Sequence, residues 1–372
     1  MINTLYKTLY KLNSNGSTQE WSIYYNDKSY WSVSGKLNGK MIIAAPRVVL
    51  AKCNKTLNEQ ILSEIESIVS KKKDKKYVEN IQDIYTAEDN LNGFGVMLAH
   101  EYLKQKRKVV FPCYTQPKLD GIRCPITNNG IFSRGRKEFT SCTHIKTELE
   151  SFFKNDPTAR LDGELYTHEF KTDFEKICKA VKKSAIKATS EDIALQNKIK
   201  YYIYDAPRIN GLIESDTFLE RQKIIKEMFN GYKNIVVVET IIAYNEDELI
   251  TLKEKWINEG YEGIMIRNMY SPYEDKRSYN LLKWKDFIDE EFIITNIIEG
   301  NGKLLASAGS FTFKMNNGKT FNAKMIGSIE RLQYYYNHPE ECLGKLATVR
   351  FQNYTSYGIP RFPVCTGIRD YE

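Results

Sequence analysis

A chain of 372 residues suits two or three domains, and 42% hydrophobic with 27% charged residues excludes a wholly disordered protein. Lys and Arg number 54 against 47 Asp and Glu, a net charge of +7 that suits a polyanionic partner without requiring one. No run of 18 apolar residues, no secretory leader pattern and seven cysteines without a C-x-x-C pair argue against a membrane span, a disulfide framework and a zinc site, and for a reducing, cytoplasmic setting.

Residues 1–50 predict short strands, with aromatic and β-branched residues interleaved with polar ones over Gln19–Tyr25 and Ser29–Val33. Turn pairs Asn15-Gly16, Asn26-Asp27 and Asn38-Gly39 punctuate them. A helix is expected next, with Leu57, Ile61, Leu62, Ile65, Ile68 and Val69 on one face and a Thr56/Glu59 capping box at its start. The run Lys71-Lys72-Lys73-Asp74-Lys75-Lys76 reads as its solvated end, complementing the helix dipole. Residues 1–85 therefore form an accessory domain, and 86–108 a connector with Gly93, Gly95 and a basic stretch, Lys104–Lys108. Strand-like and helical runs alternate in both orders over 109–287, which predicts an α+β domain. From 288 to 372, short strands (Glu291–Ile298, Ser310–Met315, Thr320–Met325, Ala347–Phe351) between Gly/Asn turns suit a small barrel, with the oligonucleotide-binding (OB) fold a candidate.

Five segments of the middle domain place chemistry at strand positions. Lys118-Leu119-Asp120-Gly121-Ile122-Arg123 follows a strand-like stretch, Val109–Thr115, and puts a lysine beside a glycine turn. To act as a nucleophile a lysine must lose a proton held with an ordinary pKa near 10.4, which nearby cations favour. Asp162-Gly163-Glu164 enters Leu165-Tyr166; Lys200–Asp205 is a β-type run with three tyrosines; Glu262 begins the apolar run Gly263–Ile266. Lys283 and Lys285 share one face of a strand, because side chains repeat every second residue. Two cations on one face beyond an apolar run require an anion or solvent, and a nucleotide phosphate would meet that need. The four histidines show no ligand spacing, and Asn317-Gly318-Lys319-Thr320 lacks the earlier glycine of a phosphate loop.

This ordered set resembles the motifs of the covalent nucleotidyltransferases, the superfamily of ATP-dependent DNA ligases, RNA ligases and mRNA capping enzymes. Lys118–Arg123 is similar to motif I, Asp162–Glu164 to motif III, Tyr202–Asp205 to motif IIIa, Glu262–Arg267 to motif IV and Leu282–Lys285 to motif V. Ser133-Arg134 resembles the basic element that follows motif I in ligases, and Arg361–Arg369 the end of small viral and bacteriophage DNA ligases. Trp21, Trp31 and Ser34-Gly35 resemble the WGR-like modules that precede some of them.

The resemblance implies an ATP-grasp-like adenylyltransferase domain, a C-terminal OB-fold barrel and a small N-terminal α+β domain. It implies an ATP-dependent DNA ligase that seals nicks in duplex DNA as a monomer, with ATP and Mg2+. Lys118 would carry AMP, and Asp120 would orient it or assist the last step. Gln116 would read the adenine edge, Tyr204 stack on it, Glu164 hold a ribose hydroxyl, and Lys283 and Lys285 meet phosphate. Glu262 is the expected metal ligand. Arg123 and Arg134 would hold the nick 5′-phosphate, with Arg277 nearby, and Arg267 is expected to be structural. Motif VI usually ends in an acid followed by a basic residue; Asp370 is followed instead by Tyr371 and Glu372, and Arg369 is expected to take that place. An RNA ligase or GTP-using capping enzyme, and a non-catalytic nucleic-acid-binding protein, remain alternatives.

Overall fold

A computed structural model describes residues 3–13, 15–51, 55–85 and 93–369. Asp370 of the candidate motif VI lies outside the described residues. The chain divides into two compact units: Met1–Leu91 with Ile288–Asn353 and Ile359–Glu372, and Asn92–Phe287 with Tyr354–Gly358.

In the first unit, antiparallel strands Thr4–Leu12, Thr18–Tyr25, Ser29–Lys36 and Met41–Ile43 pair in sequence order, and Arg47–Val48 pairs with Ser29–Lys36. The helix Leu57–Lys73 covers this sheet, closing a core of Leu9, Trp21, Ile23, Tyr30, Ile61, Ile65 and Val69. Its expected capping box is present: Glu59 N–H donates to Thr56 Oγ1 (3.3 Å) and Thr56 N–H to Glu59 Oε2 (2.8 Å). The lysine run is only partly a solvated end. Lys72 lies 4.8 Å from the Trp21 ring centroid and 4.7 Å from that of Tyr77. Burial there, with Lys75 and Lys11 close by, pushes its pKa down.

The C-terminal segment forms the expected closed five-stranded barrel, in the order Ile288–Glu299, Ala308–Lys314, Thr320–Met325, Val364–Ile368, Leu346–Phe351. Phe292, Ile294, Phe311, Phe313, Phe321, Val349 and Phe351 fill it. A helix, Ile329–Asn337, capped by Ser328, sits between the third and fourth strands in sequence.

The second unit holds two five-stranded sheets. One runs Ile241–Ala243, Cys113–Lys118, Gly263–Asn268, Arg277–Lys285, Leu98–Glu101. The other runs Ile235–Val237, Lys200–Arg208, Arg160–Tyr166, Ile122–Thr127, Gly130–Ile131. Helix Glu246–Asn258 packs Leu249 and Trp256 against the first, and helix Thr143–Asn155 packs Ile145, Leu149 and Phe152 against the second. Two boundaries differ from the sequence reading. The strand that carries Lys118 is Cys113–Lys118, where the sequence reading had the preceding stretch at Val109–Thr115. The basic connector is also not wholly a linker, because Leu98–Glu101 pairs in parallel with Arg277–Lys285 as an edge strand. Among the described residues no helix is long and apolar enough to cross a membrane.

Candidate active site

Strand register gathers the candidate residues. Gly263 lies opposite Lys118 on one side and Lys285 on the other; two residues along, Met265 lies opposite Gln116 and Lys283. Directly opposed residues share a sheet face, as do positions two apart, so Lys118, Lys285, Gln116 and Lys283 form two rows on one face. Gly263 is required between the lysines: its φ is +151°, and an added Cβ would lie 2.3 Å from the Trp284 carbonyl oxygen. This face lines a cavity of about 290 Å³. Of its sixteen lining residues seven are cations, Lys118, Arg123, Arg134, Arg267, Arg277, Lys283 and Lys285, and one is acidic, Glu164. Tyr204, Leu98, Met265 and Leu281 supply apolar and aromatic wall.

Glu262, just before its strand, is the counter-ion of this face. Its carboxylate binds Lys118 Nζ through Oε2 and Lys285 Nζ through Oε1, the latter at 2.6 Å. Burial favours its neutral form, but the two ammonium groups outweigh burial and hold its pKa below the usual range. Lys283 is pushed down by burial and by the charges of Lys285 and Lys118. Glu164 projects from the second sheet. Burial pushes it up to about 7, against the pull of Arg123 and Lys118 and with the repulsion of Asp162 and Glu262.

Arg123 is held on three sides. Its Nε donates to Asp162 Oδ1 (2.7 Å), and Nη2 donates to Asp162 Oδ2 and to the Met97 carbonyl (3.0 Å). The Tyr204 ring lies 5.0 Å from its guanidinium carbon, and the Tyr204 hydroxyl donates to Glu164 Oε2 at 3.4 Å. Both N–H bonds of the Gln116 amide are engaged, and its oxygen accepts one hydrogen bond. The amide accepts from Arg267 Nε (3.1 Å) and donates to the Tyr204 carbonyl (3.2 Å) and Thr240 Oγ1 (3.0 Å). Arg267 pairs with buried Asp205 at 2.7 Å while also lining the cavity. Arg134 and Arg277 are exposed at the rim, and Arg277 donates to the Ala99 carbonyl. Asp120 is half-buried next to the turn and does not line the cavity; its charge acts on Tyr166. Arg369 is on the last barrel strand's exit, where Nε donates to Thr348 Oγ1 (2.7 Å) and pairs with Glu291 (3.1 Å).

A mixed apolar and cationic cavity around a lysine–carboxylate–lysine row has the chemistry that an apolar base and an anionic phosphate each call for. Family comparison agrees. Residues 96–285 match the ATP dependent DNA ligase domain, and residues 299–369 the DNA ligase OB-like domain. The chain belongs to the ATP-dependent DNA ligase family. Relatives of this family member include a DNA ligase of African swine fever virus, 29% identical over 219 residues (55% of this chain, 49% of the relative). A phage T4 DNA ligase is 25% identical over 270 residues (60% and 54%), and one from Haemophilus influenzae is 26% identical over 269 residues (72% and 89%). The chain thus spans about half the length of the swine fever virus and T4 relatives. A solved Lig E DNA ligase structure shares the fold with a TM-score of 0.61 and 23% identity, covering 74% of this chain and 99% of that one.

The sequence reading named Lys118, Gln116, Arg123, Arg134, Glu164, Tyr204, Arg277, Lys283 and Lys285, which the structure gathers around one cavity, with Glu262 bonded to Lys118 and Lys285. It missed the residues that hold them: Asp162 as the partner of Arg123, Thr240 and Gln222 around Gln116 and the Tyr204 carbonyl, and Tyr273 beneath Asp162. Only Asp162 carried a signal, since it opens the Asp-Gly-Glu triplet.

The raised Glu164 carboxyl has a measurable consequence. In the folded chain it keeps its proton up to about pH 7, whereas unfolded it loses it near pH ~4.3. Its contribution to stability therefore falls as pH rises from the ordinary carboxylate range to about 7. Glu164→Gln is expected to gain about 1–2 kcal/mol over the parent at alkaline pH, with the difference closing in mild acid. Denaturant melts at both ends of that range check this; an equal difference at both would show that Glu164 keeps its ordinary pKa.

Proposed function

We propose that this protein is an ATP-dependent DNA ligase that seals 5′-phosphate/3′-hydroxyl nicks in duplex DNA. The observation that carries the reading is the row Lys118–Glu262–Lys285 on the floor of a cavity lined by seven cations. In the first step Lys118 gives its ammonium proton to solvent, its Nζ lone pair bonds to the α-phosphorus of ATP, the bond to the bridging oxygen breaks, and pyrophosphate leaves. Little of this is covalent work for the protein; positioning and charge neutralisation dominate. Lys283 and Lys285 supply fixed charge beside the phosphate. Glu262, already hydrogen-bonded to Lys118, fixes the direction of the nucleophile. In the second step a 5′-phosphate oxygen attacks the same phosphorus and Lys118 leaves. In the third the 3′-hydroxyl attacks the 5′-phosphorus and AMP leaves. In this reading Arg123, Arg134 and Arg277 meet the nick phosphate, Glu164 a ribose hydroxyl, and Tyr204 stacks on the base. Gln116 reads the adenine edge only through valences its protein partners leave open. Asp120, away from the cavity wall, is assigned to orienting the Lys118 turn, and Arg369 to motif VI with Asp370.

Mg2+ is the cation this chemistry calls for. Glu262 is the residue to hold it, but both its oxygens engage lysines, and among the described residues no three His, Cys, Asp or Glu converge. Oxygen ligands from the nucleotide would complete such a site, as a hard cation that retains few protein carboxylates allows. When bound, the ion would neutralise phosphate charge. A cytoplasmic, monomeric protein is the setting this reading assumes.

The test is labelling with α-labelled ATP beside α-labelled GTP, with magnesium, on protein first discharged with pyrophosphate. The expected result is a protein-linked label from ATP alone that discharges onto nicked duplex DNA. Label from GTP, or from neither, would overturn the reading.

A further inference from the structure

We infer that Tyr273 and the Met97 backbone are a positioning device for Arg123, acting through Asp162, and that they leave one edge of its guanidinium for the polynucleotide phosphate. The inference rests on the ligase reading above. Four groups close a hydrogen-bonded ring. Arg123 donates to Asp162 through Nε and Nη2. The Tyr273 hydroxyl donates to Asp162 Oδ2 at 2.7 Å. The Met97 N–H donates to the Tyr273 oxygen at 3.0 Å, and the Met97 carbonyl accepts from Arg123 Nη2 at 3.0 Å. Asp162 and Tyr273 are buried, so each bond is shielded from water.

The donor count gives the ring its meaning. A guanidinium has five N–H bonds in a fixed fork. Three of Arg123's are spent in the ring, and Nη1 has no hydrogen-bond partner among the described residues while Arg123 lines the cavity. A buried carboxylate held only by Arg123 could swing with it. The Tyr273 hydroxyl removes that freedom, and the same oxygen fixes Met97, so donor and acceptor of one peptide residue clamp both ends of the pair. Tyr273 belongs to the connection between Gly263–Asn268 and Arg277–Lys285, and its N–H is tied to the Glu214 carbonyl at 2.8 Å. Its ring packs edge-on to Phe94. It is thus a fixed post, and it is not itself one of the residues that line the cavity.

The test isolates transfer of AMP from pre-adenylylated protein to nicked duplex DNA in a single turnover. Tyr273→Phe keeps the ring and removes the hydroxyl. The expected slowing is about 10-fold, as for a lost hydrogen bond to a charged group. The same substitution in an Arg123→Met background is expected to change the rate less than about twofold, because the residue it acts through is gone. An equal slowing in both backgrounds, which a purely structural role predicts, would overturn the inference, and so would an unchanged rate in the single variant. Should Tyr273→Phe melt below the assay temperature, Asp162→Asn replaces it in the same cycle with the same criteria. A parent protein that takes no AMP from ATP overturns the ligase reading itself, and this inference with it.

Discussion

Lys118→Ala is expected to abolish protein-linked AMP, leaving less than roughly one part in 10⁴ of the parent's labelling, the scale of losing a covalent nucleophile. The geometry gives no substitute. Lys285 is held by Glu262 through the other carboxylate oxygen and stands across Gly263, a full strand away from the Lys118 position. Lys283 is two residues further along that strand, opposite Met265. In the proposed mechanism each meets phosphate oxygens, and neither occupies the strand end where Lys118 meets the glycine turn. The substitution is also expected to leave the fold intact. Lys118 is partly exposed to the cavity, and Glu262 keeps Lys285 as its counter-ion. Nicked DNA that already carries a 5′-adenylate should still be sealed by the variant, since the third step does not use the lysine as a nucleophile. Labelled protein on a denaturing gel is the readout. Labelling at the parent's level would remove Lys118 from the mechanism, and loss of sealing on pre-adenylylated DNA would indicate a wider structural defect.

The site was legible because its residues sit on strands whose period of two can be read directly. Lys283 and Lys285 face the cavity as the alternation requires, and Glu262 stands at the start of its apolar strand. The strand-like stretch read before Lys118 ends at Thr115, short of Pro117, a residue type disfavoured inside a sheet. The structure resolves this: Ile241–Ala243 pairs only with Cys113–Thr115, so at Pro117 the strand is an edge on that side and pairs with Ile264 on the other. The edge strand Leu98–Glu101 was hidden for a different reason. Its partner, Arg277–Lys285, is remote in sequence and parallel, so no turn announces the pairing. The final barrel strand, Val364–Ile368, pairs partly in parallel with Thr320–Met325 and was equally silent. Helix Ile329–Asn337 buries Leu332 alone, too little apolar periodicity to declare itself. Side-chain networks leave no trace of spacing at all, which is why Thr240, Gln222 and Tyr273 emerged only from the structure.

Asp205→Asn is expected to be the most destabilising single substitution beneath the site. Asp205 is completely buried and binds two guanidiniums at once. Arg221 donates to Oδ1 at 2.7 Å and to Oδ2 at 3.2 Å, and Arg267 donates to Oδ2 at 2.7 Å. Burial alone would favour the neutral acid, but the two arginines outweigh it and hold the pKa below the usual range. The amide would leave both buried cations without a counter-charge and turn an NH₂ toward one of them. Breaking a buried pair in this way costs about 3–5 kcal/mol. At roughly 2–4 °C per kcal/mol for a unit of this size, the melting transition should fall by about 6–20 °C. The sign with pH follows from the depressed pKa. The stabilisation is complete above the unfolded carboxylate range and is lost as pH falls through the folded pKa, so the difference between parent and variant should narrow in acid. Activity should fall even at temperatures where the variant is folded. Arg267 also carries the Gln116 amide, which in turn is bonded to the Tyr204 carbonyl, so releasing Arg267 loosens the wall beside Lys118. Calorimetry of the full chain at neutral and acid pH decides the matter: a transition within about 2 °C of the parent's at neutral pH would mean that the network contributes no net stability, as some buried ion clusters do not.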